Sequence, residues 1–186
     1  YLQPYEIIER EGVKIAVLGM ITPAIPSWLP EKLWSGLHFE EMEPCARRWM
    51  EIIKEKEKPD VIIGLFHAGK SGNKLGNVIE DASMNVAKNI PGFDIVLIGH
   101  DHSRECVEVL NTEGKNVLVI DPANNANVVS DVTLKITMKD GKVVAKSVDG
   151  KLADMNKYPV SEEFMQHFAP QYKAVDDFVS RKLGTI

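Results

Sequence analysis

The chain has 186 residues, 44% hydrophobic and 26% charged, with a net charge of -5. That is enough apolar mass for one domain with a real core, which excludes a disordered chain. No basic stripe stands out, so a nucleic-acid polymer is a poor partner, and no apolar run is long enough to span a bilayer. A small phosphorylated substrate stays open, because a bound metal can supply the positive charge. The two cysteines, Cys45 and Cys106, form no C-x-x-C pair and no disulfide framework.

The opening stretch "YEIIEREGVKIAVLGMI" predicts two strands with a turn at Glu11-Gly12, and Val13 to Ile21 is apolar and β-branched enough for a buried central strand. "TPAIPSWLP" is expected to be a loop at that strand's C-terminal end, because three prolines oppose a regular element. Trp28 and Leu29 pin it to the body. A helix follows from Glu40 to Lys58, with Met42, Ala46, Trp49 and Ile53 on one stripe. "DVIIGLFH" is a short buried strand ending at His67, and a second helix is predicted from Ile79 to Ile90. "DIVLIG" is the next buried strand, ending at His100.

The order strand, helix, strand, helix, strand implies an α/β fold with parallel strands. After His102 the strands follow one another through short turns, "RECVEVL", "NVLVID", "VVSDVTLKITM" and "KVVAKSV", and this half is expected to be antiparallel. The last stretch, Ser161 to Leu183, is expected to be helical, with Pro170 as a kink or a restart. Both ends read as internal to a longer protein.

Ligands bind beyond the carboxyl ends of parallel strands. His67 and His100 each follow a buried apolar run, so both belong to one rim. His102 is two residues on, and in an extended backbone it points to the same side as His100. Imidazole is a common ligand for first-row metals, so three on one rim suit Zn, Mn or Fe. Asp101 is open between ligand, orienter of a histidine and loop carboxylate. His38 and His167 are read as structural. Asn125, within "DPANNANVV", is a weak substrate-phosphate candidate, against the default of a turn-forming asparagine.

"GLFHAG" followed by "PGFDIVLIGHDHS" resembles the later motifs of calcineurin-like metallophosphoesterases. The span from "GVKIAVLGMITPAIPSW" to "VVSDVTLKI" resembles the 5'-nucleotidase and 2',3'-cyclic-nucleotide 2'-phosphodiesterase branch. The resemblance implies a partial metallophosphoesterase fold: parallel βαβαβ strands, then antiparallel strands of a β-sandwich, then a C-terminal linker helix. Residues 1–158 would be the second half of the catalytic domain, and 159–186 a linker toward a further domain. It implies two divalent metals (Zn, Mn, Fe, Co or Mg), with His67 and His100 on one and His102 on the other. The substrate class would be nucleotide or other small phosphate esters, in a periplasmic or extracellular setting.

The family's D-x-H, G-D-x-x-D and G-N-H-D/E motifs do not occur in the chain. The bridging aspartate and the catalytic histidine would come from upstream of Tyr1, so residues 1–186 alone are expected to be inactive. The alternatives are a non-catalytic metal-binding or assembly module on the same scaffold, and a structural α/β domain with incidental histidines.

Overall fold

The computed structural model describes residues 2–72, 74–182 and 184. Two compact units divide at 153/154. The first holds a mixed six-stranded sheet built from β1 (Tyr5–Arg10), β2 (Val13–Ile21), β3 (Val61–His67), β6 (Ile95–Leu97), β7 (Arg104–Leu110) and β8 (Asn116–Pro122). The order across the sheet is β1-β2-β3-β6-β8-β7. The four central strands are parallel and the two edge strands antiparallel. The β1–β2 turn uses Glu11 and Gly12, both at positive φ (50° and 79°), the backbone that a tight two-residue hairpin needs.

Period-two alternation gives the sheet two apolar faces. Ala16, Leu18, Ile62, Phe66, Val96, Val117 and Val119 point to one of them. There they pack against the crossover helices α2 (Met42–Lys56) and α3 (Ser83–Asn89) through Met42, Ala46, Met50, Ile53, Val86 and Ala87. Covering both faces is the usual requirement of parallel strands. The second face is covered in part by the long hairpin of β9 (Val128–Lys139) and β10 (Lys142–Asp154). Gly150 of β10 lies so close on Leu118 that a Cβ there would come within 2.6 Å of it, and Lys146 reaches the Asp60 carbonyl and the Asp94 carboxylate. Leu118 and Ile120 are therefore buried, whereas Ile21 and Leu65, on the same face but beyond the hairpin, are 53% and 54% exposed. Leu65→Ser is accordingly expected to cost this chain about 1 kcal/mol or less in urea unfolding, the span of strand propensity without core loss.

Three expectations are corrected. "NVLVID" is not part of an antiparallel half: β8 pairs parallel with β6 and antiparallel with β7, so it joins the central sheet. The second helix begins at Ser83, not Ile79, because Val78 and Ile79 form β5, paired with β4 (Lys74–Leu75), and Asp81 is taken up in loop contacts. The proline-rich loop contains one helical turn, α1 (Ile25–Trp28), where Pro26 occupies a first-turn position that needs no N–H donor.

The second unit contains α4 (Glu162–Val179). Ser161 caps it by accepting the Phe164 N–H at 3.2 Å, and Glu162 and Glu163 suit the positive helix start. The helix runs through Pro170 without a break. Leu183, where the helical stretch was expected to end, lies outside the described residues.

Candidate active-site rim

The chain leaves β3 at His67 and β6 just before Ile98, and the parallel pairing puts both exits on one rim. An isolated bridge between Ala68 and Gly99 holds the two exits together. The rings of His67 and His100 meet edge to face, with centroids 5.2 Å apart. Trp28 of α1 lies on the His100 ring at 5.1 Å. Glu80 Oε1 is 3.2 Å from His100 Nε2.

The loop after β3 is knitted to this rim by carboxylates. Asp81 accepts the Gly69 N–H at 2.6 Å. Asp101 accepts the Lys70 N–H at 2.8 Å, and the Ser103 N–H and hydroxyl at 3.1 and 2.9 Å. Asp101 is thus engaged by three donors of the surrounding loops. Burial pushes its pKa up, but these donors outweigh burial and hold it below the ordinary value. Lys70 is committed to Glu105 at 2.6 Å, and that hydrogen bond raises the lysine's pKa.

Asp121, at the end of β8, is fully buried. Its carboxyl is pushed up to about 6, first by burial and then by neighbouring Asp101, against the Ala123 N–H bond at 2.8 Å that favours the charged form.

His102 does not follow the extended-backbone expectation. His100 and His102 have φ of 101° and 55°, so the segment turns and simple alternation of sides does not apply. His102 is exposed. Among the described residues no three His, Cys, Asp or Glu side chains converge closely enough to hold a metal ion. His67 and His100 fit as two neighbouring donors of the imidazole type that zinc-like ions take, but a closed site needs three or four protein ligands. His38 is exposed beside Phe39, and His167 packs its ring on Phe168 within α4.

A cleft of about 940 Å³ opens beside His67, lined by Ile21, Leu65, Leu97, Asn124, Asn125 and Val129. Asn125 sits at φ 61°, flanked by Ala126 at 53°, a left-handed backbone that asparagine tolerates. The sequence reading missed Glu80, and it took Trp28 only as a pin. The available signal for Glu80 was an acidic pair, Glu80-Asp81, set between an apolar strand and a helix.

Among solved structures, the calcineurin-like phosphoesterase YfkN from Bacillus subtilis superposes with a TM-score of 0.76, covering 96% of this chain and 59% of that one at 20% identity. The fold is that of the calcineurin-like phosphoesterases. A 5'-nucleotidase precursor from Thermus thermophilus has the same fold, with a TM-score of 0.70 over 96% of this chain and 35% of that one at 19% identity. Along the sequence, 116 residues (61% of the chain) are 30% identical to a 5'-nucleotidase of Vibrio cholerae, and the match covers 21% of that protein. The trifunctional nucleotide phosphoesterase protein YfkN of Bacillus subtilis is 27% identical over 119 residues, 63% of this chain and 7% of that protein. The chain thus spans about a fifth or less of the length of these curated relatives. Over part of its length it is similar, at low identity, to the calcineurin-like metallophosphoesterase and 5'-nucleotidase superfamily. No family model matches it. No helix among the described residues is long and apolar enough to cross a membrane. In this phosphoesterase fold, the rim carrying His67 and His100 is where the parallel strands end, the position at which open α/β sheets take ligands.

Proposed function

We propose that this chain is the second half of a dinuclear-metal phosphoesterase domain, residues 1–158, followed by a linker, residues 159–186, that carries α4. His67 and His100 bind one divalent metal and His102 binds the other. The observation that carries this is the convergence of His67, the last residue of β3, and His100, in the turn just beyond the neighbouring parallel strand β6, with rings 5.2 Å apart. The substrate class is a nucleotide phosphate ester, of the 5'-monoester or 2',3'-cyclic type, and Asn125 at the cleft wall is its candidate contact in this chain. Bound there, two divalent metals would supply Lewis acidity toward a water and toward the phosphoryl oxygens. The chain's own part is to hold two imidazoles side by side, one on the end of β3 and one in the braced turn beyond β6. The family motif that would carry the bridging carboxylate does not occur in residues 1–186, so these residues alone are expected to leave 2',3'-cyclic AMP and 5'-AMP intact.

Zinc titration by calorimetry tests the reading. Histidine-to-alanine changes at positions 67 and 100 should each weaken zinc binding by more than the roughly 10- to 100-fold that loss of a ligand's hydrogen-bond partner costs. Changing His102 should leave that first site in place. Metal-dependent turnover of 2',3'-cyclic AMP by residues 1–186 would contradict the half-site.

A second reading keeps the scaffold without the catalysis. On that reading the chain is a non-catalytic metal-binding or assembly module. It is separated from the first by adding the missing motifs on a longer chain: a module gains no hydrolysis, a half-site does.

A further inference from the structure

Glu80 is held from both sides before it meets His100. The preceding Ile79 N–H is accepted by the Glu41 carboxylate at 3.1 Å. The following Asp81 accepts the Gly69 N–H at 2.6 Å through its side chain and the Gly72 N–H at 2.8 Å through its carbonyl. The Glu80 side chain is thereby delivered to the rim from a fixed backbone. Its contact with His100 is mostly shielded, with side-chain exposures of 19% and 21%. The His100 ring thus has the Trp28 ring, the His67 ring and the Glu80 carboxylate as neighbours.

We propose that Glu80 is a positioning residue that fixes the tautomer and ring plane of His100. A neutral imidazole carries one N–H, and an ionised carboxylate only accepts. As a hydrogen bond to an accepting carboxylate, the 3.2 Å contact requires the hydrogen on Nε2 and leaves the lone pair on Nδ1. A metal bonds to a lone pair, so Nδ1 is the atom His100 offers. A carboxylate behind a ligating histidine fixes ring orientation and raises basicity. This rests on the reading of His100 as a metal donor, but the tautomer itself does not.

The test is a long-range proton–nitrogen correlation of the imidazoles at pH 8, on the metal-free chain, for wild type, Glu80→Gln and Glu80→Ala. Glutamine keeps an accepting oxygen; alanine does not, and Glu80→Ser serves the same purpose if the alanine variant folds poorly. Wild type and the glutamine variant should show His100 protonated at Nε2 alone, and the short variants should drift toward the mixture of a free imidazole. With zinc, Glu80→Ala should lose about 10- to 100-fold in affinity and Glu80→Gln much less. An unchanged tautomer in the folded alanine variant overturns the proposal, as does a doubly protonated His100 at pH 8. Equal zinc losses in both variants also overturn it, because Glu80 would then be a ligand itself. If wild type binds no zinc, the metal reading fails, while the tautomer comparison still decides the role of Glu80.

Discussion

Asp121→Asn should make the folded chain more stable at neutral pH, by up to about 3 kcal/mol, and should change it little at pH 4. The carboxyl is buried at the end of β8 and its pKa is pushed up to about 6 from the ordinary 3.8. Below pH 4 both folded and unfolded chains keep this proton, so the group is neutral in the balance. Between roughly pH 4 and 6 the unfolded chain releases it while the folded chain retains it, which favours unfolding as pH rises. Above about 6 both are ionised and the penalty is complete. Each pH unit of displacement corresponds to about 1.4 kcal/mol, which sets the ceiling of about 3. Asparagine keeps an oxygen for the Ala123 N–H and carries no charge to bury. Urea unfolding of both proteins from pH 4 to 8 reads the difference: it should grow through the window and level off. A difference that is flat with pH would mean that Asp121 does not titrate there.

Gly69→Ala should cost about 2–4 kcal/mol, although it adds one methyl group to a loop. A Cβ at Gly69 would stand 2.5 Å from Asp81 Oδ1 and 2.7 Å from both Cβ and Oδ2 of Asp101. Neither carboxylate is free to retreat. Asp81 accepts Gly69's own N–H, and Asp101 holds the Lys70 N–H and Ser103. Forced overpacking costs about 1–3 kcal/mol and a stranded buried donor about as much again. The same change should move the loop that joins His67 to the His100 turn, so zinc binding should weaken more than tenfold with no ligand altered. Unfolding within 0.5 kcal/mol of wild type, inside the scatter of ordinary surface changes, would show that the brace is slack.

The legible part of the sequence was the part governed by apolar runs. "VIIGLFH" ends its strand on His67, whereas β6 stops at Leu97 and a short turn carries the chain on to His100, yet the apolar runs alone put both histidines on one rim. Strand partners were less legible. β8 is as apolar as a central strand, yet its short connection to β7 suggested a meander, and only its tertiary pairing with β6 makes it parallel. Ile79 fitted the helical stripe of α3, but the demands of Asp81 on Gly69 and Gly72 hold the chain extended there. Glu80 and Trp28 arrive at His100 from segments far away in sequence, and no local period announces such a meeting. The positive φ values of His100 and His102 were hidden for the same reason: they follow from the packing of the turn and not from the residue types.

The central claim is that His67 and His100 hold one metal together. Manganese added substoichiometrically to the labelled chain tests it most directly, through the imidazole signals of all five histidines. The expected result is selective broadening of His67 and His100, with His38 and His167 left sharp. Broadening that spares the His67–His100 pair, or that falls equally on His38 and His167, would contradict it.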